Sequence, residues 1–231
     1  MIPLRDDNPT RRFPIVTVAL IVINAVVFAY EVSLDSDALQ ALFSQWAFVA
    51  SRFMADPGSP REIATVFSSM FMHAGWIHIG GNMLYLWIFG NNVEDRIGRL
   101  PFLAFYLLSG VAGVAAQTFV APGSAIPTLG ASGAIAGVLG AYVLLFPGAS
   151  VLTLIPIIFF FEVARIPAFI VIGFWFVIQL ANGAASIDPA VIQSGGVAYF
   201  AHVGGFVAGV ILISPVWIAE RLRRRARGGR Y

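Results

Sequence analysis

The chain contains no cysteine, no lysine and little charge of either sign. Without cysteine there can be no disulfide, no thiolate metal site and no cysteine nucleophile. All 14 basic residues are arginine, and charged residues make up only 11% of the 231, against about 25% in an ordinary soluble domain. Hydrophobic residues reach 58%, and the mean hydropathy is +0.83. A folded domain of this length cannot bury that much apolar surface and still show water a polar exterior. The composition excludes a soluble globular protein, a disordered chain and a nucleic-acid binder. It points to an all-α polytopic membrane protein.

Charge-free runs and turn signals divide the chain into six spans, at about 13–32, 74–92, 100–120, 130–146, 166–186 and 198–218. The long apolar run after Leu100 is broken by Ala121-Pro122-Gly123-Ser124 and by Pro147-Gly148, both turn sequences. Val151–Phe161 is apolar but short and carries Pro156, so it reads as an interfacial loop. The arginines set the orientation. With the N-terminus in the cytoplasm, only Arg52 and Arg61 fall outside and the other twelve lie inside, as the positive-inside rule requires. This predicts a cytoplasmic segment 1–12, a membrane domain 13–218 with an outer loop 31–62, and an Arg-rich cytoplasmic tail 219–231. The first apolar run is long and no A-x-A site follows it, so it reads as a span and not as a cleaved signal. The outer loop carries Trp46, Phe48, Val49 and Phe53 among its charges, and is expected to lie partly in the outer leaflet.

All three histidines, His73, His78 and His202, fall in or at the mouth of spans, where ionisable groups are costly and mark function. His78 and Asn82, four residues apart, share one helical face. His73 precedes His78 by five and does not form an i, i+4 metal pair with it. No carboxylate lies near any histidine in the sequence, and no metal or other cofactor is expected. Span four opens on Gly130-Ala131-Ser132-Gly133. Span six carries Ala201-His202-Val203-Gly204-Gly205 and then Gly209, a small-residue face that permits close helix approach. His78, Ser132 and His202 all sit in the outer third of their spans, so they can converge. A serine hydroxyl becomes a nucleophile when a base takes its proton, and His202 can be that base. Spans four and six carry no acid to orient it, so the pair is a dyad. The Ser132 N–H, the Asn82 amide and the His78 ring could stabilise an oxyanion.

These pieces resemble the rhomboid family of intramembrane serine proteases. The resemblance rests on His73-Ala-Gly-Trp-Ile-His78-Ile-Gly-Gly-Asn82-Met83, Phe89-Gly90-Asn91-Asn92-Val93-Glu94-Asp95-Arg96-Ile97-Gly98, Gly130-Ala-Ser132-Gly133 and Ala201-His202-x-x-Gly205-x-x-x-Gly209. It implies a rhomboid-like six-helix bundle with Ser132 as nucleophile, His202 as base, and His78, Asn82 and the Ser132 amide as oxyanion site. His73, Gly130, Gly133 and Gly205 would line or close the cavity, and Glu94 would brace the inner ends of spans two and three. The substrates implied are single-span membrane proteins cut near the outer surface, in the lipid bilayer, with no nucleic-acid or metal partner. Many members carry an aromatic four residues after the serine; here that position is Ala136, and Phe206 or a ring on another span could substitute. A non-catalytic relative that binds membrane segments, and a His-based transporter, are the competing readings. The short chain points to a bacterial plasma membrane.

Overall fold

The computed structural model describes residues 1–157, 160–186 and 196–228, without the side chains of 224, 227 and 228. Asp188, Arg230 and the centre of the apolar segment at 158–159 therefore lie outside the described residues.

The chain is mostly helical. Strand β1 (Ile2–Asp6) leads into α1 (Ile15–Glu31). Three short helices follow, α2 (Ser36–Trp46), α3 (Ala50–Ala55) and α4 (Pro60–Ser68). Next come α5 (Trp76–Tyr85), a π-helical turn (Leu86–Gly90) and α6 (Asn91–Ile97), which run on as one rod. Helices α7 (Arg99–Val120) and α8 (Ser132–Leu145) precede strands β2 (Ser150–Ile157) and β3 (Phe160–Pro167). Helices α9 (Ala168–Ala185) and α10 (Tyr199–Gly228) complete the order. Among these, α7, α9 and the 199–223 part of α10 are long and apolar enough to cross a membrane, while α1 and α8 are apolar but shorter. The last helix runs ten residues past the expected end of span six.

Helix α8 is the axis of the bundle. Every residue from Gly133 to Tyr142 is buried, which is the pattern of a helix packed on all sides. Its neighbours are α7 and α10, and the small residues explain how they come so near. A methyl group added at Gly205 or Gly209 would overlap the carbonyl oxygen of Gly133 or Gly137, and one added at Gly204 would overlap Ala116. Backbone thus meets backbone, the close packing that membrane helices use in place of a hydrophobic driving force. Tyr106, Tyr142, Phe102, Phe89 and Leu86 are among the largest side chains wholly buried in the core.

The segment expected as an interfacial loop is instead a hairpin. β2 and β3 pair antiparallel from Ser150↔Pro167 to Ile157↔Phe160, and β1 adds a third strand against Val151–Leu154. Val151 and Thr153 are fully buried on one face, and such β-branched alternation suits a half-buried strand. Pro156 is tolerated because β1 stops short of it, leaving an edge where its missing N–H costs nothing.

One end of the bundle is tied by polar contacts. Glu94 on α6 accepts hydrogen bonds from the N–H groups of Val16 and Thr17 at 3.0 and 2.7 Å and from the Thr17 hydroxyl at 2.8 Å. Pro14 offers no side-chain cap to α1, so Glu94 caps that helix from outside. This corrects the expected brace between spans two and three: the partner is α1. The Asp95 carboxylate takes the N–H groups of Arg11 and Arg12, and Arg96 pairs with Glu220 on α10. Asp6 accepts from the hydroxyl of Tyr142 on α8 and from Asn92, each at 2.7 Å. The first strand, α6 and the end of α10 therefore share one end of the bundle.

Candidate active site

At the opposite end, Ser132 is the first residue of α8, where the N–H groups of the opening turn have no intrahelical acceptor. Gly130 precedes it with φ +122°, a conformation that favours glycine. Its N–H donates to the Ser69 carbonyl at 2.8 Å, which fixes the entry to the helix. The position is also sterically reserved. A methyl group at Gly130 would lie 2.6 Å from Nε2 of His78 and 3.7 Å from Oγ of Ser132, so His78 reaches over from α5 to lie beside the start of α8.

His202 enters from α10. Its Nε2 is 2.7 Å from Ser132 Oγ, and the ring is almost wholly buried. The approach follows from the glycine contact: Gly133 adjoins Ser132, Gly205 lies one turn beyond His202, and the two meet. The second ring nitrogen, Nδ1, is 2.7 Å from Oε1 of Gln179 on α9. Gln179 was not singled out from the sequence. The signal was there: in the apolar run of α9 the amides are Gln179 and Asn182, and a polar side chain in a membrane helix calls for a partner.

The same helix supplies the ring that Ala136 does not. Trp175 lies 5.8 Å from the His202 ring, centroid to centroid, at 36°. Phe206 does not take that place; it stacks on Phe176 at 4.3 Å. Asn82, on α5 one turn from His78, is buried with its Nδ2 unpartnered, a donor held in reserve. His73 lies in the turn before α5. Its ring meets that of His78 edge to face at 4.9 Å, both its ring nitrogens are buried without partners, and its backbone N–H donates to the carboxylate of Glu31 at 3.2 Å. Glu31, buried at the end of α1, is a second residue that the sequence did not mark. Among the described residues no three His, Asp or Glu side chains are grouped to hold a metal ion.

The arrangement can carry out proton transfer from a serine hydroxyl to an imidazole, with unspent donors nearby. That is the requirement of acyl transfer.

Comparison with known proteins gives a consistent picture. The profile of the Rhomboid domain matches residues 60–218. The chain is 31% identical over 220 residues to "Rhomboid protein 1, mitochondrial" of Saccharomyces cerevisiae, covering 92% of this chain and 57% of that protein. It is 32% identical over 170 residues to "Presenilin-associated rhomboid-like protein A, mitochondrial" of Danio rerio, covering 71% of this chain and 40% of that one. It is 29% identical over 161 residues to "Rhomboid-like protein 11, chloroplastic" of Arabidopsis thaliana, covering 67% and 51%. The chain thus spans about half the length of these relatives. Their mitochondrial and chloroplastic names overturn the expectation of a bacterial plasma membrane.

Proposed function

This chain belongs to the rhomboid family, and from that premise we propose that it is an intramembrane serine endopeptidase. The observation that carries the reading is the 2.7 Å approach of Ser132 Oγ to His202 Nε2, held by the backbone contact of Gly133 with Gly205. Ser132 is the nucleophile and His202 the general base. As Ser132 attacks a peptide carbonyl, its proton passes to Nε2, and that proton is later delivered to the leaving amine. The oxyanion is met by the Ser132 N–H at the start of α8, by the free amide of Asn82 and by the ring of His78. His73 backs His78 from its buried side.

The chain crosses the bilayer six times, with α5, the π turn and α6 forming the second crossing. Residues 13–218 form the membrane domain, and the polar end of the bundle, with both the 1–12 segment and the 219–231 tail, faces the inner side, where twelve of the arginines collect. Helix α8 has 14 residues, a length of about 21 Å against roughly 30 Å of hydrocarbon. With Tyr142 near its far end tied to Asp6 at the polar end of the bundle, its first residue lies below the opposite surface. The substrates are single-span membrane proteins whose helices unwind near that surface, since a helix hides the carbonyls a protease must reach. The organellar names of the relatives support an organelle membrane as its place.

The test is cleavage of a single-span reporter with an Ala-Gly-rich outer end by purified wild type and by Ser132→Ala, each with and without EDTA. Cleavage by wild type alone, unaffected by EDTA, is the expected result. Turnover by Ser132→Ala would refute the nucleophile.

A further inference from the structure

We propose that Gln179 is a positioning residue for this chemistry, a neutral third member that fixes which nitrogen of His202 bears the proton. The inference rests on the serine–histidine reading above. A neutral imidazole has one N–H and one lone pair. If Nδ1 carries the hydrogen and donates it to Gln179 Oε1, then Nε2 presents its lone pair to the Ser132 hydroxyl at 2.7 Å. In the reverse arrangement the amide NH₂ would face Nδ1, the ring hydrogen would move to Nε2, and the serine would face a donor that can take no proton.

The surroundings select the first arrangement. Gln179 is 6% exposed, so no water competes freely for its amide. Its NH₂ points at the main-chain carbonyl of Trp175, 3.4 Å away. A carbonyl only accepts, so it keeps the NH₂ on its own side and leaves Oε1 for His202. Trp175 lies one turn before Gln179 on the same face of α9, and its indole lies 5.8 Å from the imidazole. One helix thus holds the ring at its Nδ1 edge and against its plane, while α8 supplies the serine.

An amide suits this place because a carboxylate buried among apolar helices is costly. The consequence is chemical. When Ser132 gives its proton to Nε2, the imidazolium holds both N–H groups, and Gln179 keeps accepting the one on Nδ1 without gaining or losing a proton. It steadies the cation by its dipole and not by a charge. The other titratable groups toward the site are His78 on α5, with His73 behind it, and Tyr199 on α10 itself. Helix α9 brings none, and α7 and α8 bring only Arg99, Tyr106 and Tyr142, toward the end away from Ser132.

The experiment combines turnover with a direct reading of the tautomer. The chain has only three histidines, so ¹⁵N-histidine labelling in detergent micelles, with His73→Ala and His78→Ala for assignment, reports His202 separately. In wild type near neutral pH, Nδ1 of His202 should be protonated and Nε2 bare. Gln179→Met should lower kcat about 10²-fold, change KM little, and leave His202 a mixture of tautomers. Gln179→Glu should restore much of the loss and move the acid limb of the pH profile to higher pH, because a carboxylate favours the imidazolium. A wild-type spectrum with the proton on Nε2, or a Gln179→Met enzyme with unchanged kcat and acid limb, would overturn the proposal. The tautomer needs no turnover to be read. If the wild type neither cleaves nor reacts at Ser132 with a fluorophosphonate, the protease reading fails while the spectrum still decides the role of Gln179.

Discussion

Gly205 on α10 and Gly133 on α8 meet so closely that neither a methyl group nor a water could stand between them; a Cβ on Gly205 would overlap the Gly133 carbonyl oxygen. Each glycine neighbours a functional side chain, Ser132 on one helix and His202 one turn back on the other. The spacing of Ser132 and His202 is therefore set by a contact that contains no side chain at all.

Substituting Gly205 by leucine should force the two helices apart. A displacement near 1 Å at reacting groups costs about 10²-fold in rate, and overpacking costs about 1–3 kcal/mol of stability. Cleavage kinetics and thermal unfolding measured side by side should show both losses; full activity in Gly205→Leu would contradict the contact.

Removing the Asn82 amide should weaken the oxyanion site alone. Asn82→Ala is expected to reduce kcat by roughly 10²-fold with an unchanged melting temperature, because its Nδ2 has no protein partner to lose. Single-turnover kinetics that match wild type would remove Asn82 from the site.

Glu94 should matter for folding and not for chemistry. It takes three donors from the start of α1, and Glu94→Ala leaves them unpaired at a cost of about 1–3 kcal/mol. The variant should unfold at lower temperature while its folded fraction, counted by fluorophosphonate labelling of Ser132, cleaves at the normal rate. A wild-type melting temperature would argue against the external cap.

Asp6 gives stability a dependence on pH. Burial pushes its carboxyl above the ordinary value of 3.8, with the hydrogen bond from Tyr142 opposing. The folded chain thus binds this proton more tightly than the unfolded chain. The contribution is complete below 3.8 and is lost as pH rises through the folded value. Relative to wild type, Asp6→Asn should gain melting temperature as pH increases over that interval. Parallel curves for the two proteins would show that Asp6 carries no such linkage.

The helices were legible because their apolar runs and their punctuation agree. Pro122-Gly123 and Pro147-Gly148 each lie just past the end of a helix, α7 at Val120 and α8 at Leu145. Ser132, His202, His78 and Asn82 stood out because polar groups in apolar segments are conspicuous singly. Gln179 escaped notice for a physical reason: attention went to groups that carry charge, and an amide carries none. Its meaning comes from facing Nδ1 of His202, a relation between two helices 23 residues apart in sequence. The hairpin β2–β3 was hidden for a similar reason. Val151–Phe161 is too short to span and has no hydrophilic alternation, and its strand character comes from pairing with β3 and with residues 2–6, the latter at the far end of the chain.

The π-helical turn at Leu86–Gly90 puts the two halves of its rod out of phase. A widened turn holds one residue more than a regular one, so everything after it lags by about 100° relative to an unbroken helix. A helical wheel drawn through His78 and Asn82 therefore mispredicts where Glu94 points. The two halves answer to different neighbours, the first to the start of α8 and the second to the start of α1. Closing this turn to a regular one without removing a residue would swing the Glu94 carboxylate about 100° off the end of α1 while His78 and Asn82 kept their aim. Deleting one residue within 86–90 along with that closure would leave Glu94 in place, so this turn is a rotary offset between the Ser132 end of the molecule and its anchored end.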